Sequence, residues 1–147
     1  MSTFPPVTSL IPHKPPMLLI DEIVSIDGIK GTARTKITDG HLFLRADGTL
    51  APEAFCEIIA QGYAVCEAYR REQQGLSNDG GGYLANVKGA QFSALARAGD
   101  VLEVRTEQLD DCFETRIIKG EVYRADTLLA QATIYIFLWY GKPTGLG

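Results

Sequence analysis

Leu50-Ala51-Pro52-Glu53-Ala54-Phe55-Cys56-Glu57-Ile58-Ile59-Ala60-Gln61-Gly62-Tyr63-Ala64-Val65-Cys66-Glu67-Ala68-Tyr69-Arg70 is the stretch around which the rest of the chain has to be arranged. It reads as one long helix. Asp47 or Thr49 is available to cap its start, Pro52 suits a first turn, and Gly75 can stop it. Ala54, Phe55, Ile58, Ile59, Val65 and Ala68, with small Ala and Gly between them, make it apolar around most of its circumference. Such a helix is buried rather than laid on a surface. Glu57 is then out of place, because a carboxylate inside an apolar helix needs a partner, hydrogen bonds or a proton. The alternative is that Glu57 faces a solvated edge or a seam between subunits.

Working outward, residues 1–16 form a proline-rich arm with Pro5, Pro6, Pro12, Pro15 and Pro16. Fixed φ angles and missing donors make it extended or turned, with one short helical turn over residues 7–10. Residues 17–26 read as a strand, Asp27-Gly28 as a hairpin turn, and residues 29–38 as the return strand. A loop over residues 39–49 leads into the helix. Beyond it, residues 77–82 (Ser-Asn-Asp-Gly-Gly-Gly) read as a flexible turn, and residues 83–92 as a strand. Ala85, Gly89 and Ala90 inside that strand signal a bulge or a close approach by a ligand or backbone. Residues 101–109, 114–124 and 128–140 read as three further strands, the last two turning near Ala125-Asp126. In the final strand Leu128, Ala130, Ala132, Ile134, Ile136 and Leu138 share one face by alternation. The tail, residues 141–147, is expected to be loose. The layout predicts a single α+β domain spanning 1–147, an antiparallel sheet curled about one dominant helix. A helix that one small sheet cannot cover predicts a homodimer or higher oligomer.

The chain has 147 residues, 46% of them hydrophobic and 22% charged, as in an ordinary globular protein. A net charge of −4 without a basic run speaks against nucleic acid as a partner. No apolar run reaches membrane-spanning length, so no membrane partner is expected. Cys56, Cys66 and Cys112 lack metal-ligand spacing, and His13 and His41 are too few for a typical metal site. No metal and no cofactor are implied. Unpaired cysteines and the lack of a secretory signal predict a cytoplasmic protein.

Leu10-Ile11-Pro12-His13-Lys14-Pro15-Pro16-Met17-Leu18-Leu19-Ile20-Asp21 resembles the opening of the β-hydroxyacyl-acyl carrier protein dehydratases, hotdog-fold proteins with a sheet wrapped around one long central helix. Glu57-Ile58-Ile59-Ala60-Gln61 resembles their helix segment. Gly82-Tyr83-Leu84-Ala85-Asn86-Val87-Lys88 and Ala98-Gly99-Asp100 resemble their substrate-tunnel strand and the turn after it. The shortened loop before the helix is similar to that of a dehydratase-like subgroup found with aryl polyene and polyketide-type synthesis clusters. The resemblance implies a reaction in which a loop histidine removes a proton beside the thioester carbonyl. A helix carboxyl group then protonates the departing β-hydroxyl, while backbone N–H groups hold the carbonyl oxygen.

By that resemblance Glu57 is the acid, and Gly48, Ala85 and Asn86 are substrate-binding positions. The histidine has two placements. Gly40-His41 resembles the start of the family's loop motif and makes His41 the base. Aligning Phe43-Leu44 with the aromatic pair before that motif instead drops the base into a deletion near Ala46-Asp47. His13 takes the role of a structural anchor for the arm, Asp21 that of closing a local interaction, and Glu53 that of favouring the helix dipole. Cys56 lies on another helix face from Glu57, so a thiol nucleophile is not expected. Three functions follow. The first is a dehydratase acting on 3-hydroxyacyl chains carried by acyl carrier protein or coenzyme A. The second is a thioesterase whose helix carboxylate activates water. The third is a non-catalytic subunit forming a heteromer with an active dehydratase.

Overall fold

The computed structural model describes residues 4–112 and 114–140. After a short 3-10 turn at Val7–Ser9 come β1 (Glu22–Asp27), β2 (Lys30–Lys36), α1 (Ala54–Gln73), β3 (Gly80–Phe92), β4 (Val101–Cys112), β5 (Thr115–Arg124) and β6 (Thr127–Tyr140). Among the described residues the strands form one antiparallel sheet in the order β1-β2-β4-β5-β6-β3. The sequence explains why the sheet curls around α1. Along β2, the first half of β4 and β5 from Ile118 to Val122, every second residue is buried, which gives the sheet one apolar face. Ala33, Leu102, Val104, Ile118, Val122 and Ile134 on that face pack with Phe55, Ile58, Ile59, Tyr63 and Val65 of the helix. Close seating requires glycine on both sides: a Cβ at Gly62 would lie 2.9 Å from Val104 Cγ1, and one at Gly120 would collide with Ile59. The α+β arrangement read from the sequence is the one observed.

The boundaries differ for identifiable reasons. α1 begins at Ala54, not Leu50, because Leu50 N–H donates to Ala96 O (2.8 Å) and Ala51 N–H to Phe43 O (2.9 Å). Asp47 does not cap the helix. Its Oδ1 accepts from the N–H (3.0 Å) and hydroxyl (2.6 Å) of Thr49, closing the loop two residues on. Gly75 does stop the helix, at φ +74°, with Leu76 N–H reaching Arg71 O (2.9 Å) and Gly75 N–H reaching Glu72 O (3.0 Å). The first strand starts at Glu22 because Leu19 N–H is taken by the Gln61 side chain.

Gly80, Gly81 and Gly82 belong to β3 rather than to a turn, paired with Tyr140, Trp139 and Leu138. Ala85, and Gly89 with Ala90, sit at the two register shifts of β3, so the bulge signal was correct. The alternation of β6 also breaks at a shift beside Val122, which buries Leu129 in place of Leu128. The tail expected at 141–147 lies outside the described residues. Among the described residues no helix is long and apolar enough to cross a membrane.

Candidate active site

From Ala54 to Ala68, α1 is buried all round except along one stripe. Glu57, Ala64 and Glu67 are half-buried while their helical neighbours are closed off. That stripe, with Ala60, Gln61 and Ala68, lines a cavity of about 350 Å³. Its opposite walls are the arm from Leu10 to His13, the glycine start of β3 with Tyr83 and Leu84, and the end of β6 from Ile136 to Tyr140. From Glu57 to Glu67 the cavity runs about 15 Å along the helix, at ~1.5 Å per residue. Mostly apolar walls with a few polar groups are what a ligand site presents.

Gln61 organises the Glu57 end. Its Oε1 accepts from Leu19 N–H (2.7 Å), and its Nε2 donates to Met17 O (2.9 Å) and to Glu57 Oε1 (3.1 Å). A single buried amide thereby fixes the carboxylate of Glu57 and ties the arm to the helix. Glu57 is therefore a half-buried, hydrogen-bonded carboxylate facing a cavity, not one enclosed in the apolar core. At the far end, Arg71 lies over the Tyr140 ring (3.4 Å to the centroid) and donates to Ser77 O (2.6 and 3.2 Å). Those contacts join the helix end to the sheet edge. Tyr83, Phe137 and Trp139 form an aromatic cluster beside the cavity, with Tyr83 and Phe137 stacked at 5.4 Å. A Cβ at Gly81 would meet Trp139 Cζ2 at 2.6 Å, so glycine lets the Trp139 ring lie against the strand.

The remaining sequence-designated residues lie elsewhere. His41 does not line the cavity with Glu57. Its Nδ1 accepts from Phe43 N–H (3.1 Å), which puts the proton of the neutral ring on Nε2. Burial pulls its pKa below the ordinary 6.5, against a smaller upward pull from Asp21. Gly48, at φ +84°, accepts from Ala98 N–H (3.1 Å) in the loop before the helix. Ala85 and Asn86 are exposed on β3, where the side chain of Asn86 accepts from Val87 N–H (2.8 Å). The single chain thus brings Glu57 to the cavity and leaves His41, Gly48, Ala85 and Asn86 outside it.

Asp21 closes a local contact, as read, by accepting from Lys36 N–H (2.7 Å). Burial, and secondarily the charge of Glu57, raises the pKa of Cys56, which disfavours a thiolate there. Among the described residues no group of three His, Cys, Asp or Glu is placed to hold a metal ion.

Sequence reasoning missed His13, Gln61 and Glu67 as cavity residues. Gln61 and Glu67 carried a signal, since with Glu57 they are polar residues on one side of an otherwise apolar helix. His13, the other candidate histidine, was read only as an anchor of the arm, because its place in the cavity wall depends on how an arm 44 residues before Glu57 folds back.

A family model for the ApeP-like dehydratases matches residues 5–140, nearly the whole chain. The chain belongs to the ApeP-like dehydratase family. Among curated relatives, a 3-hydroxyacyl-[acyl-carrier-protein] dehydratase FabZ of Campylobacter concisus is 26% identical over 137 residues, covering 87% of this chain and 91% of the relative. A second FabZ, from Protochlamydia amoebophila, is 27% identical and covers 90% and 87%.

Among solved structures, the dehydratase heterocomplex ApeI:P from Xenorhabdus doucetiae superposes at a TM-score of 0.87. It is 22% identical and covers 97% of this chain and 95% of that one. A hypothetical thioesterase protein with coenzyme A from Streptococcus pneumoniae matches at 0.61, 14% identical, with 83% and 88% covered. This member of the ApeP-like family has the hotdog fold, and its function is dehydratase-like, of the hydroxyacyl-thioester class.

Proposed function

We propose that the chain itself removes water from 3-hydroxyacyl thioesters carried on acyl carrier protein or coenzyme A, with Glu57 as the acid that protonates the departing β-hydroxyl. The observation that carries this reading is Glu57 in an otherwise mostly apolar cavity, its carboxylate oriented by the Gln61 amide at 3.1 Å. An acid must be aimed at its leaving group before its strength matters, and Gln61 supplies the aim. The reverse reaction gives a direct test. Hydration of a 2-enoyl thioester, followed by loss of enoyl absorbance, is expected in the wild type and reduced about 10²-fold or more in Glu57→Gln. Equal rates in the two proteins would remove Glu57 from the chemistry.

We also propose that the chain works as a dimer, paired with a second copy or with another dehydratase chain. β3 is an edge strand among the described residues, and it exposes Tyr83 (57%) and Phe92 (46%). An unpaired apolar edge is a template for another strand. A solved structure of the same fold is a dehydratase heterocomplex, which is a precedent for the heteromer. The three free cysteines fit a cytoplasmic location. Co-expression with a second dehydratase, followed by native mass spectrometry, is expected to give a two-chain species. A lone monomer at micromolar concentration would count against the pairing.

A further inference from the structure

Two carboxylates line the cavity, Glu57 toward one end and Glu67 toward the other, and the proposed dehydration uses only Glu57. Between them the walls are apolar, with Ala60 and Ala64 on the helix and Leu84, Ile136 and Leu138 on the strands. Glu67 is weakly engaged by the protein. Its side chain is 17% exposed, and its ion pair with Arg70 Nη1 is long, at 3.5 Å. Arg70 is drawn instead to the β1–β2 turn, where its Nε donates to Gly28 O (2.8 Å).

The far end of the cavity is therefore charged rather than sealed by apolar side chains. Tyr140, also in the cavity wall, feels that charge: burial and then Glu67 push its phenol pKa up, against smaller pulls from Arg71 and Arg116. Tyr63 on the same side of the helix responds to Glu67 in the same sense, after the larger effect of burial. An apolar channel that ends on a carboxylate discriminates between occupants. An alkyl tail pressed against Glu67 would strip water from the carboxylate and return no hydrogen bond, which is costly. A shorter tail gains from burial along the apolar walls without that penalty.

Length decides which chains meet it. Glu57 and Glu67 are separated by about 15 Å along the helix, at ~1.5 Å per residue. An extended covalent chain advances about 1.2 Å per bond, so a chain with its β-carbon at Glu57 arrives at Glu67 about 12 bonds later.

We infer that Glu67 is a specificity-determining residue which, on the dehydratase reading above, selects against 3-hydroxyacyl chains whose plain alkyl tail is long enough to reach it.

The test uses the full chain and the hydration assay, with 2-enoyl thioesters of about eight and about sixteen carbons carried on acyl carrier protein. The readout is the long-to-short ratio of kcat/KM within each protein, which cancels any general loss of activity. In the wild type that ratio is expected to be about 0.1 or lower, and Glu67→Leu should raise it about tenfold or more. Glu67→Gln should raise it less, because the amide still needs hydrogen bonds. A ratio unchanged in both variants overturns the inference.

A second arm needs no variant. A chain of the same greater length that ends in a hydroxyl can donate to Glu67, and the wild type should hydrate it about tenfold or more faster than the plain chain. Equal rates overturn the inference, whether or not the variants fold. Turnover of the short chain with a wild-type ratio near one overturns the role of Glu67 alone. A wild type that hydrates neither chain overturns the dehydratase reading, and the specificity with it.

Discussion

At the scale of the residue, most depends on Gln61. It makes three side-chain hydrogen bonds, to Leu19 N, Met17 O and Glu57 Oε1. Gln61→Ala strands a buried backbone N–H at Leu19, and should lower stability by about 1–3 kcal/mol in denaturant unfolding. The same variant should cut turnover more than a surface substitution of equal thermodynamic cost, because Glu57 loses its orientation. His41 makes a pH prediction. Its folded pKa lies below the ordinary 6.5, so below that value the unfolded chain binds more protons than the folded one. Its contribution to stability is present above 6.5 and is lost as pH falls through the window just beneath it. The denaturant midpoint should drop over that window, and His41→Asn should flatten the drop.

The thiols divide by burial. Cys112 is exposed, while burial pushes the Cys66 thiol up to about 11. A thiol reagent should therefore modify Cys112 in the folded chain, and Cys56 and Cys66 only on unfolding. Glu57 was legible at this scale as the odd residue of an apolar helix. His13 was not, since no local pattern says which wall of a cavity a distant proline-rich arm will form.

At the scale of the element, what could be read was what periodicity and turn chemistry encode. The 3.6-residue pattern located α1, and Gly75 marked its end because φ +74° is costly for any residue with a Cβ. Gly75→Ala should accordingly destabilise the chain by about 1 kcal/mol or a little more in thermal unfolding. The helix start was misread because capping chemistry is short-ranged. Asp47 had a nearer partner in Thr49, and Leu50 was drawn into a backbone bond with Ala96. The glycine run at residues 80–82 was misread for a related reason. Glycine signals a turn locally, but here it is needed because a Cβ at Gly82 would collide with Leu138 and one at Gly81 would press on Trp139. Only the finished sheet shows that.

At the scale of the whole molecule, a sheet with one apolar face and a helix apolar nearly all round have few ways to satisfy each other, so a sheet curled about one helix followed from pattern, and the family resemblance made it the hotdog fold. The same pattern led to the expectation of a dimer, but not to the proposed edge at β3, because which strand meets a second chain leaves no periodic trace in the first. The pairing proposal has its own test. Phe92→Lys places a charge on the exposed β3 edge (Phe92 is 46% exposed), and should shift native mass spectra from dimer toward monomer while leaving the far-UV circular dichroism unchanged. Persistence of the dimer would place the interface elsewhere.

The most direct measurement is mass spectrometry of a 3-hydroxyacyl chain on acyl carrier protein, incubated with the wild type and with Glu57→Gln. Loss of one water in the wild type, greatly slowed in the variant, is the expected result. Release of the free acid, or an unchanged acyl chain with both proteins folded, would contradict the assignment of a dehydrating carboxyl group to Glu57.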